Sequence, residues 1–522
     1  MTRSLTLVLL LAAGAALALR WPGSNQRPMH NDEAVNAVKF GQLWNHGGYK
    51  YDPNEHHGPS LFYATLAIER LTGAPGFNDF TDARLRLVPV LFGLALLPLL
   101  LLMLDGLGRQ GIAWAALFTA TSPALVFYSG YFIHEMLLTF FTLLALGSAW
   151  RYWRTRRIGW ILTAGAGLGL MAATKETFVI TLAAAAVALI INQAWNRALD
   201  ASGQPVKARP LNPWHLVAGF CVCCVVALLL FSSFLSNPSG PLDSIRTYLP
   251  WAHRAAGESP HVHRWYFYLR RVLFFHSANG PIWSEGLIFV LAIMGAVAGF
   301  RRQNLAGANA SLLRFLALYT FLLTAFYSLL AYKTPWCLLS FWLGAILLAG
   351  AGAAVILERA RTRPSRIGLA AVLLLGVLHL GWQSWRAQST YAADPRNPYV
   401  YAQTSPDLLN LVNKVEALAG ADSRGHNLVV KIIAPDGDYW PLPWYLRRFN
   451  NTGWWDHLPQ DPFAPVMVVS AQLHAALDER KSHLMVGYFQ LRPQQFLELY
   501  VQADLWGEWL AHRQAADTSI VP

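Results

Sequence analysis

The chain has 522 residues, 54% of them hydrophobic and only 13% charged, against roughly 25% charged in an average soluble domain. Its net charge of +12 would suit nucleic acid, but the basic residues stand in short clusters between apolar runs, and no recognition motif accompanies them. A soluble globular enzyme and a nucleic-acid-binding protein are both excluded, which leaves a polytopic α-helical membrane protein. Three of the four cysteines, Cys221, Cys223 and Cys224, share one apolar run and Cys337 stands alone, so neither a disulfide framework nor a paired zinc half-site is present.

The first apolar run covers residues 5–21. Ala16-Leu17-Ala18 would serve as a signal-peptide cleavage site, but the run is nearly long enough to span and the parity of the later spans works if it is retained. It reads as an uncleaved first helix. Further spans are predicted at 87–104, 112–128, 135–150, 158–173, 178–195, 214–235, 283–300, 312–331, 336–357 and 367–382, about eleven in all. Arg109, the run from Arg151 to Arg157, residues 197–209, Arg301-Arg302 and residues 358–366 fall on one side if the N-terminus is cytoplasmic. That orientation predicts an inner-membrane protein whose C-terminal part lies on the outer side.

The outer side then receives the loop 22–86, with Asp32-Glu33, Glu55, four histidines (His30, His46, His56, His57) and a turn forced by Gly58-Pro59. It also receives His134-Glu135, Lys175-Glu176, the loop 237–281, and Lys333-Thr334-Pro335-Trp336. Beyond residue 385, where the membrane module 1–385 ends, hydropathy falls and residues 386–522 read as a soluble α/β domain. Ser405-Pro406-Asp407 starts a helix with Leu408, Leu409, Leu411, Val412, Val415 and Leu418 at helical spacing. Residues 427–434 and 465–470 read as short buried strands. Trp440, Trp444, Trp454 and Trp455 would stack on sugars or, as preferred here, pack in a core or against the membrane bundle.

Each charged motif has a plainer reading. Asp32-Glu33 suits a helix N-terminus capped by Asn31 or Asp32, although such a helix would also hold a catalytic carboxylate rigidly. Glu135 opens a membrane helix, where ionisable groups are costly and mark function. Lys175 and Glu176 would form an internal salt bridge, and Lys333 would snorkel. Together, acids and cations from four outer loops suit displacement at a carbon bearing a phosphate leaving group. A carboxylate takes the proton of an acceptor hydroxyl, and fixed cations stabilise the departing phosphate. No glycine-rich nucleotide loop is present, so the donor expected is a polyprenyl-phosphate sugar, and the acceptor a glycan, lipid or protein. Asp32 is the expected base, with Glu33 and Glu135 beside it. Arg86, Lys175 and Lys333 would hold the donor phosphate, and His56, His57, His134, Glu176 and Trp336 would meet acceptor or sugar. No cofactor is firmly implied and no HExxH is present; Glu55 and His56 are the only candidates for a divalent metal.

A first span, an Asp-Glu loop and then Ala83-Arg84-Leu85-Arg86 leading to Gly93 resemble the GT-C glycosyltransferases. Within them the chain is similar to the protein O-mannosyltransferase and lipid A aminoarabinose transferase group. The resemblance covers about the first 200 residues, and Lys333-Thr334-Pro335-Trp336 extends it. Residues 401–406 and 438–447 resemble a less studied bacterial and archaeal branch, some members of which are labelled flippase-associated. The resemblance implies a GT-C fold and sugar transfer from a lipid-linked donor. It matches Asp32 to the family's catalytic aspartate, Glu135 to a second acid, and Arg86 to the arginine that opens the second span. His134-Glu135 departs from the arginine-containing pattern of several members, and the C-terminal domain is not that of a mannosyltransferase. The alternative is a transporter or accessory protein for lipid-linked sugars, which would bury charge at the midplane on broken helices. Here the charge gathers on one face. Asp32, Glu135 and at least one of Arg86, Lys175 and Lys333 are therefore expected around one cavity.

Overall fold

The computed structural model describes residues 3–21, 27–54, 57–200, 210–256, 261–303 and 305–518. Helix α1 (Arg3–Arg20) leads to two helices of the first long connection, the polar α2 (Asn31–His46) and α3 (Ser60–Leu71). Next come α4 (Asp82–Leu99), α5 (Leu104–Thr121), the short α6 (Pro123–Ser129), α7 (Glu135–Thr155), α8 (Ile158–Ala172), α9 (Phe178–Asp200) and α10 (Pro213–Phe231). Three short helices, α11 (Gly240–Arg246), α12 (Tyr248–Ala256) and α13 (Phe267–Leu273), occupy the second long connection. The bundle closes with α14 (Gly286–Arg301), α15 (Ala310–Leu329), α16 (Leu339–Arg359) and α17 (Arg363–Gln388).

Each predicted span falls wholly or mostly in helix. Among the described residues, seven helical runs are long and apolar enough to cross a membrane, Asp82–Thr121 counting as one, and α8 and α14 are apolar but shorter. The chain is a multi-pass membrane protein. One predicted span ends early. Residues 112–128 do not form one helix, because Ser122 turns extended (φ −61°, ψ 118°) and caps α6, which Pro123 opens. Proline lacks the amide that a continuing helix needs.

Helix α16 is apolar on every side and buried between α5 and α14, as such a helix must be. Small residues allow the close approach: a Cβ on Gly352 would collide with the carbonyl of Leu291 in α14. Most of the arginine clusters, those at 109, 151–157, 301–302 and 359–366, lie at one end of the bundle, and the sheet domain sits at the other. We refer to these as the arginine-rich end and the sheet-domain end.

Helix α17 reaches Gln388, and the segment after it packs on the bundle rather than beginning a separate domain. Tyr128 donates to the carbonyl of Tyr399 (2.8 Å), Tyr131 to the side chain of Gln403 (2.8 Å), and Gln388 to the carbonyl of Val126 (2.8 Å). The sheet domain starts with α18 (Asp407–Ala421), at the predicted helix start. It contains β1 (Val429–Ile433), β2 (Asn451–Trp455), β3 (Val466–Ser470), β4 (His483–Arg492) and β5 (Gln495–Gln502), with the short α19 (Leu442–Tyr445) before β2 and α20 (Ala503–Thr518) last. The strand order is β2-β1-β3-β5-β4; β1 pairs parallel with β2 and β3, and β5 antiparallel with β3 and β4. The two predicted strands are β1 and β3, an interior, mostly apolar pair. Leu408, Leu411, Val415 and Leu418 of α18 pack with Val430, Ile432 and Leu499 beneath the sheet.

Candidate active site

Helix α2 begins in a capping box. The cap is His30, not Asn31 or Asp32: its Nδ1 accepts the Asp32 amide (3.1 Å), and its own amide donates to Glu33 Oε2 (2.9 Å). The box satisfies amides left open at a helix start. Successive helical residues point about 100° apart, so Asp32 and Glu33 face different surroundings.

Glu33 turns inward and is fully buried. Its Oε1 accepts from Arg86 Nε (2.7 Å) and the Phe132 amide (3.0 Å), and its Oε2 from Arg27 Nη1 (2.6 Å) and Arg86 Nη2 (2.9 Å). Burial alone would push this carboxyl up, but the charges of Arg27 and Arg86 hold it well below the carboxylate range. Arg86 is buried as completely and also donates to the carbonyls of Arg27 (3.1 Å) and Pro28 (3.3 Å). Two expectations change here. Glu33 is a structural anchor and not a second catalytic acid, and Arg86 is neutralised by Glu33 and does not face a donor phosphate. Both side chains are sealed from any substrate.

Asp32 turns the other way. Its side chain is 47% exposed, and among the described residues the charged or titratable group nearest to it is His30, with Nδ1 at 3.9 Å.

The remaining acids are paired. The first loop is stapled to the break between α8 and α9: the Gly58 amide donates to the Thr174 carbonyl (3.0 Å) and the Ser60 amide to the Ala173 carbonyl (2.9 Å). A Cβ at position 58 would collide with the Ala173 carbonyl, so glycine is required by the close approach. His134 Nε2 donates to the Gly58 carbonyl (3.0 Å), and the His57 and His134 rings meet edge to face. Behind this staple Lys175 binds Glu135, and His57 Nδ1 binds Glu176 Oε2 (2.9 Å). The predicted Lys175–Glu176 bridge is therefore replaced by two crossed pairs. Burial alone would pull the Lys175 ammonium down, but the Glu135 carboxylate holds it well above the lysine range. Burial raises the Glu176 carboxyl, but the charge and hydrogen bond of His57 together with the Lys175 charge outweigh it, leaving it at about 2. Burial, then the charges of His57 and Lys175, push His134 well down, so its ring is neutral. With its charge matched by Glu135, Lys175 is not a free phosphate ligand.

Lys333 differs. It is buried, its Nζ donates to the carbonyls of His263 (2.9 Å) and Leu330, and burial lowers its ammonium. Among the described residues no carboxylate pairs with it. A short ladder, in which the Lys333 amide donates to the His261 carbonyl (2.9 Å) and Val262 bridges Tyr332, fixes this turn to the second long connection. There His261 Nδ1 and His263 Nε2 both contact the hydroxyl of Tyr401 at 2.8 Å. Arg271 stacks on Phe267 with its carbon 3.7 Å from the ring centroid, and its Nε has no hydrogen-bond partner. Burial pushes Tyr332 and Tyr401 up and His261 down, and the Asp32 charge acts on all three, while Arg271 acts on Tyr401 and His263. Lys333 and Arg271 both lie against the His263 segment, through the His263 carbonyl and the Phe267 ring that stacks on His263. The charge of Asp32 reaches Tyr332, Tyr401 and His261, and Tyr332 also feels Lys175 and Glu135.

The second long connection was legible as an outer loop, but its residues were not singled out. The alternation His261-Val262-His263 and the pair Arg270-Arg271 were the available signals. Trp336 is buried, its ring edge-on to His30 (centroids 5.4 Å) and to Tyr401 (6.1 Å). It packs against the turn that carries Asp32 instead of offering an open face to a sugar. Glu55 and His56 lie outside the described residues. Among the described residues, no three histidine, cysteine or acidic side chains are grouped to hold a metal ion.

Residues 63–236 match the family model described as dolichyl-phosphate-mannose-protein mannosyltransferase. No curated protein matches the chain at the sequence level. Its fold is similar to that of ArnT from Cupriavidus metallidurans bound to undecaprenyl phosphate, at TM-score 0.59 and 15% identity over 95% of this chain and 98% of that one. It is also similar to the Archaeoglobus fulgidus oligosaccharyltransferase (TM-score 0.50, 13% identity, 86% of this chain and 63% of that one). The arabinofuranosyltransferase AftD from Mycobacteria matches at TM-score 0.50 and 14% identity, over 96% of this chain and 40% of that one. With its helical membrane bundle, its small terminal sheet domain and these neighbours, the chain has the GT-C glycosyltransferase fold.

Proposed function

We propose that the protein is an inverting glycosyltransferase, moving a sugar from a polyprenyl-phosphate donor to an acceptor hydroxyl at the outer face of the inner membrane. The single observation that carries this reading is the fate of four acids. Glu33, Glu135 and Glu176 are buried and ion-paired, while Asp32 is half-exposed with only a histidine beside it. A base must be free to take a proton.

Asp32 takes the acceptor proton as the hydroxyl oxygen attacks the anomeric carbon and the bond to the phosphate oxygen breaks. Lys333 and Arg271, two cations that no carboxylate matches among the described residues, receive the charge of the departing polyprenyl phosphate. The arginine-rich end faces the cytoplasm by the positive-inside rule, which puts Asp32 outside. A lipid-linked donor fits two further facts. The similar ArnT has been solved with undecaprenyl phosphate, and a pocket of about 350 Å³ beside Glu176 is lined by Phe178, Leu228, Phe231 and Tyr248.

The test is transfer of radiolabelled sugar from polyprenyl-phosphate donors in membranes carrying wild type or Asp32→Asn. Transfer lost with donor still bound supports the reading. Transfer unchanged in the variant removes Asp32 as base. Transfer absent from both, with scrambling of the lipid-linked sugar intact, points to a transporter.

A further inference from the structure

The turn that carries Asp32 is held from the sheet domain. Residues 27–30 are short of local partners, yet most of their backbone groups are bonded. The Met29 amide donates to the Tyr445 hydroxyl (2.8 Å), and the Met29 carbonyl accepts from Thr404 Oγ1 (2.8 Å). The Pro28 carbonyl accepts from Gln403 Nε2 (3.0 Å) and from Arg86. His30, next in line, closes the capping box on which Asp32 sits.

Tyr445 is fixed in turn. Its hydroxyl donates to Asp82 Oδ2 (2.7 Å), and Trp444 Nε1 donates to Asp82 Oδ1 (2.7 Å). Asp82 opens α4, and Arg86, one turn later, holds Glu33. Two restraints therefore run from the same end of α4 to α2. One passes through Arg86 to Glu33 inside the bundle, and the other through Tyr445 of the sheet domain to Met29. The Tyr445 hydroxyl accepts from one side and donates to the other, so it is a link and not a filler.

We propose that Tyr445 and Thr404 are positioning residues for the base. They clamp Met29 from both sides, and the sheet domain, with the segment that leads into it, thereby sets where the Asp32 carboxylate meets the acceptor hydroxyl. This rests on the reading of Asp32 as base given above. It makes the sheet domain part of the catalytic apparatus rather than an appendage. A small displacement of a reacting group costs up to about a hundredfold in rate, so a loosened turn should lower kcat and leave the donor site alone.

The test uses the full-length protein in nanodiscs, with polyprenyl-phosphate sugar as donor. Tyr445→Phe keeps the ring and removes the link, and Thr404→Val removes the opposite bond. Each is expected to lower kcat about tenfold to a hundredfold, with donor KM within about twofold of wild type. Amide exchange in residues 27–34 should speed up, and that in α16 should stay as in wild type. Arg447→Gln, which loosens the domain's contact with the carbonyls of Asn78 and Phe80 without touching Met29, is expected to keep kcat. An equal loss in all three variants would mean general undocking and overturn the clamp. So would wild-type kcat in Tyr445→Phe and Thr404→Val beside an inert Asp32→Asn. Transfer retained by Asp32→Asn overturns the base itself and with it the clamp's catalytic role, a result distinct from failure of the clamp alone.

Discussion

Adjacent acids of one helical turn should respond oppositely to the loss of their charge. Glu33 accepts five hydrogen bonds, from Arg27, the His30 and Phe132 amides and twice from Arg86, and both arginines are buried with it. In Glu33→Gln one carboxylate oxygen becomes an NH2 facing donors, and two guanidinium groups are left buried without an anion. Breaking a buried ion pair from one side costs about 3–5 kcal/mol. At about 2–4 °C per kcal/mol for a unit of 150–250 residues, the expected drop in melting temperature is about 6 °C or more. Asp32→Asn removes only a half-exposed charge near a helix N-terminus, worth about 0.3–1 kcal/mol, and should lower the melting temperature by no more than about 4 °C. The assay is thermal unfolding of detergent-solubilised protein followed by tryptophan fluorescence, with sugar transfer measured on the same preparations. Asp32→Asn should be folded and inert, and Glu33→Gln thermally weak. A Glu33→Gln protein that melts like wild type would refute the assignment of Glu33 as an anchor, and a strongly destabilised Asp32→Asn would refute that of Asp32 as a free base.

Lys333→Met should weaken donor binding about tenfold to a hundredfold, as loss of a charged hydrogen bond of about 1.5–3 kcal/mol implies. It should leave the melting temperature unchanged or raised, because a buried cation with no anionic partner is costly to bury; titration with donor lipid and a melting curve check the two halves. Gly58→Ala should cost about 1–3 kcal/mol through its collision with the Ala173 carbonyl, read as a lower melting temperature. Glu176 has its carboxyl at about 2 when folded, below its ordinary 4.5. Its contribution is thus present above about 4.5 and is lost as pH falls from there toward about 2. Removing the partner in His57→Phe should move acid unfolding, followed by tryptophan fluorescence, to higher pH. Asp82→Ala should free Trp444 and Tyr445 and speed proteolytic removal of the sheet domain.

Hydropathy and charge periodicity are local properties, and what depends on them was legible. The apolar runs became helices, and the two short Val- and Ile-rich stretches became β1 and β3. What depends on pairing across the fold was not legible. Arg86 and Lys175 read as free cations because their partners, Glu33 and Glu135, lie 53 and 40 residues away in the chain. Strands β2, β4 and β5 were missed because their half-buried faces mix glycine, charge and aromatic residues. Glu285 gave no signal at all. It lies in a single Trp283-Ser284-Glu285 step, yet it is fully buried and accepts from Ser122 (2.5 Å), Tyr399 (2.6 Å), Trp342 (2.9 Å) and the Ala124 amide (3.0 Å). It ties α6, α14, α16 and the segment after α17 together at the sheet-domain end.

The paired and unpaired charges form a single design. A base near a membrane surface must be accessible, and an accessible side chain at the end of a helix is free to turn with that helix. Burying the next residue removes that freedom: α2 cannot rotate without pulling Glu33 from two guanidinium groups, so the direction of Asp32 is set by a neighbour that no substrate touches. Arg27 adds to this from the chain before the helix, with its guanidinium carbon 3.5 Å from the centroid of the Tyr131 ring and Nη2 2.5 Å from the Gly130 carbonyl. The cations follow the same logic. Arg86 and Lys175 are matched by carboxylates and hold elements together, whereas Lys333 is held by carbonyls alone and keeps its charge available.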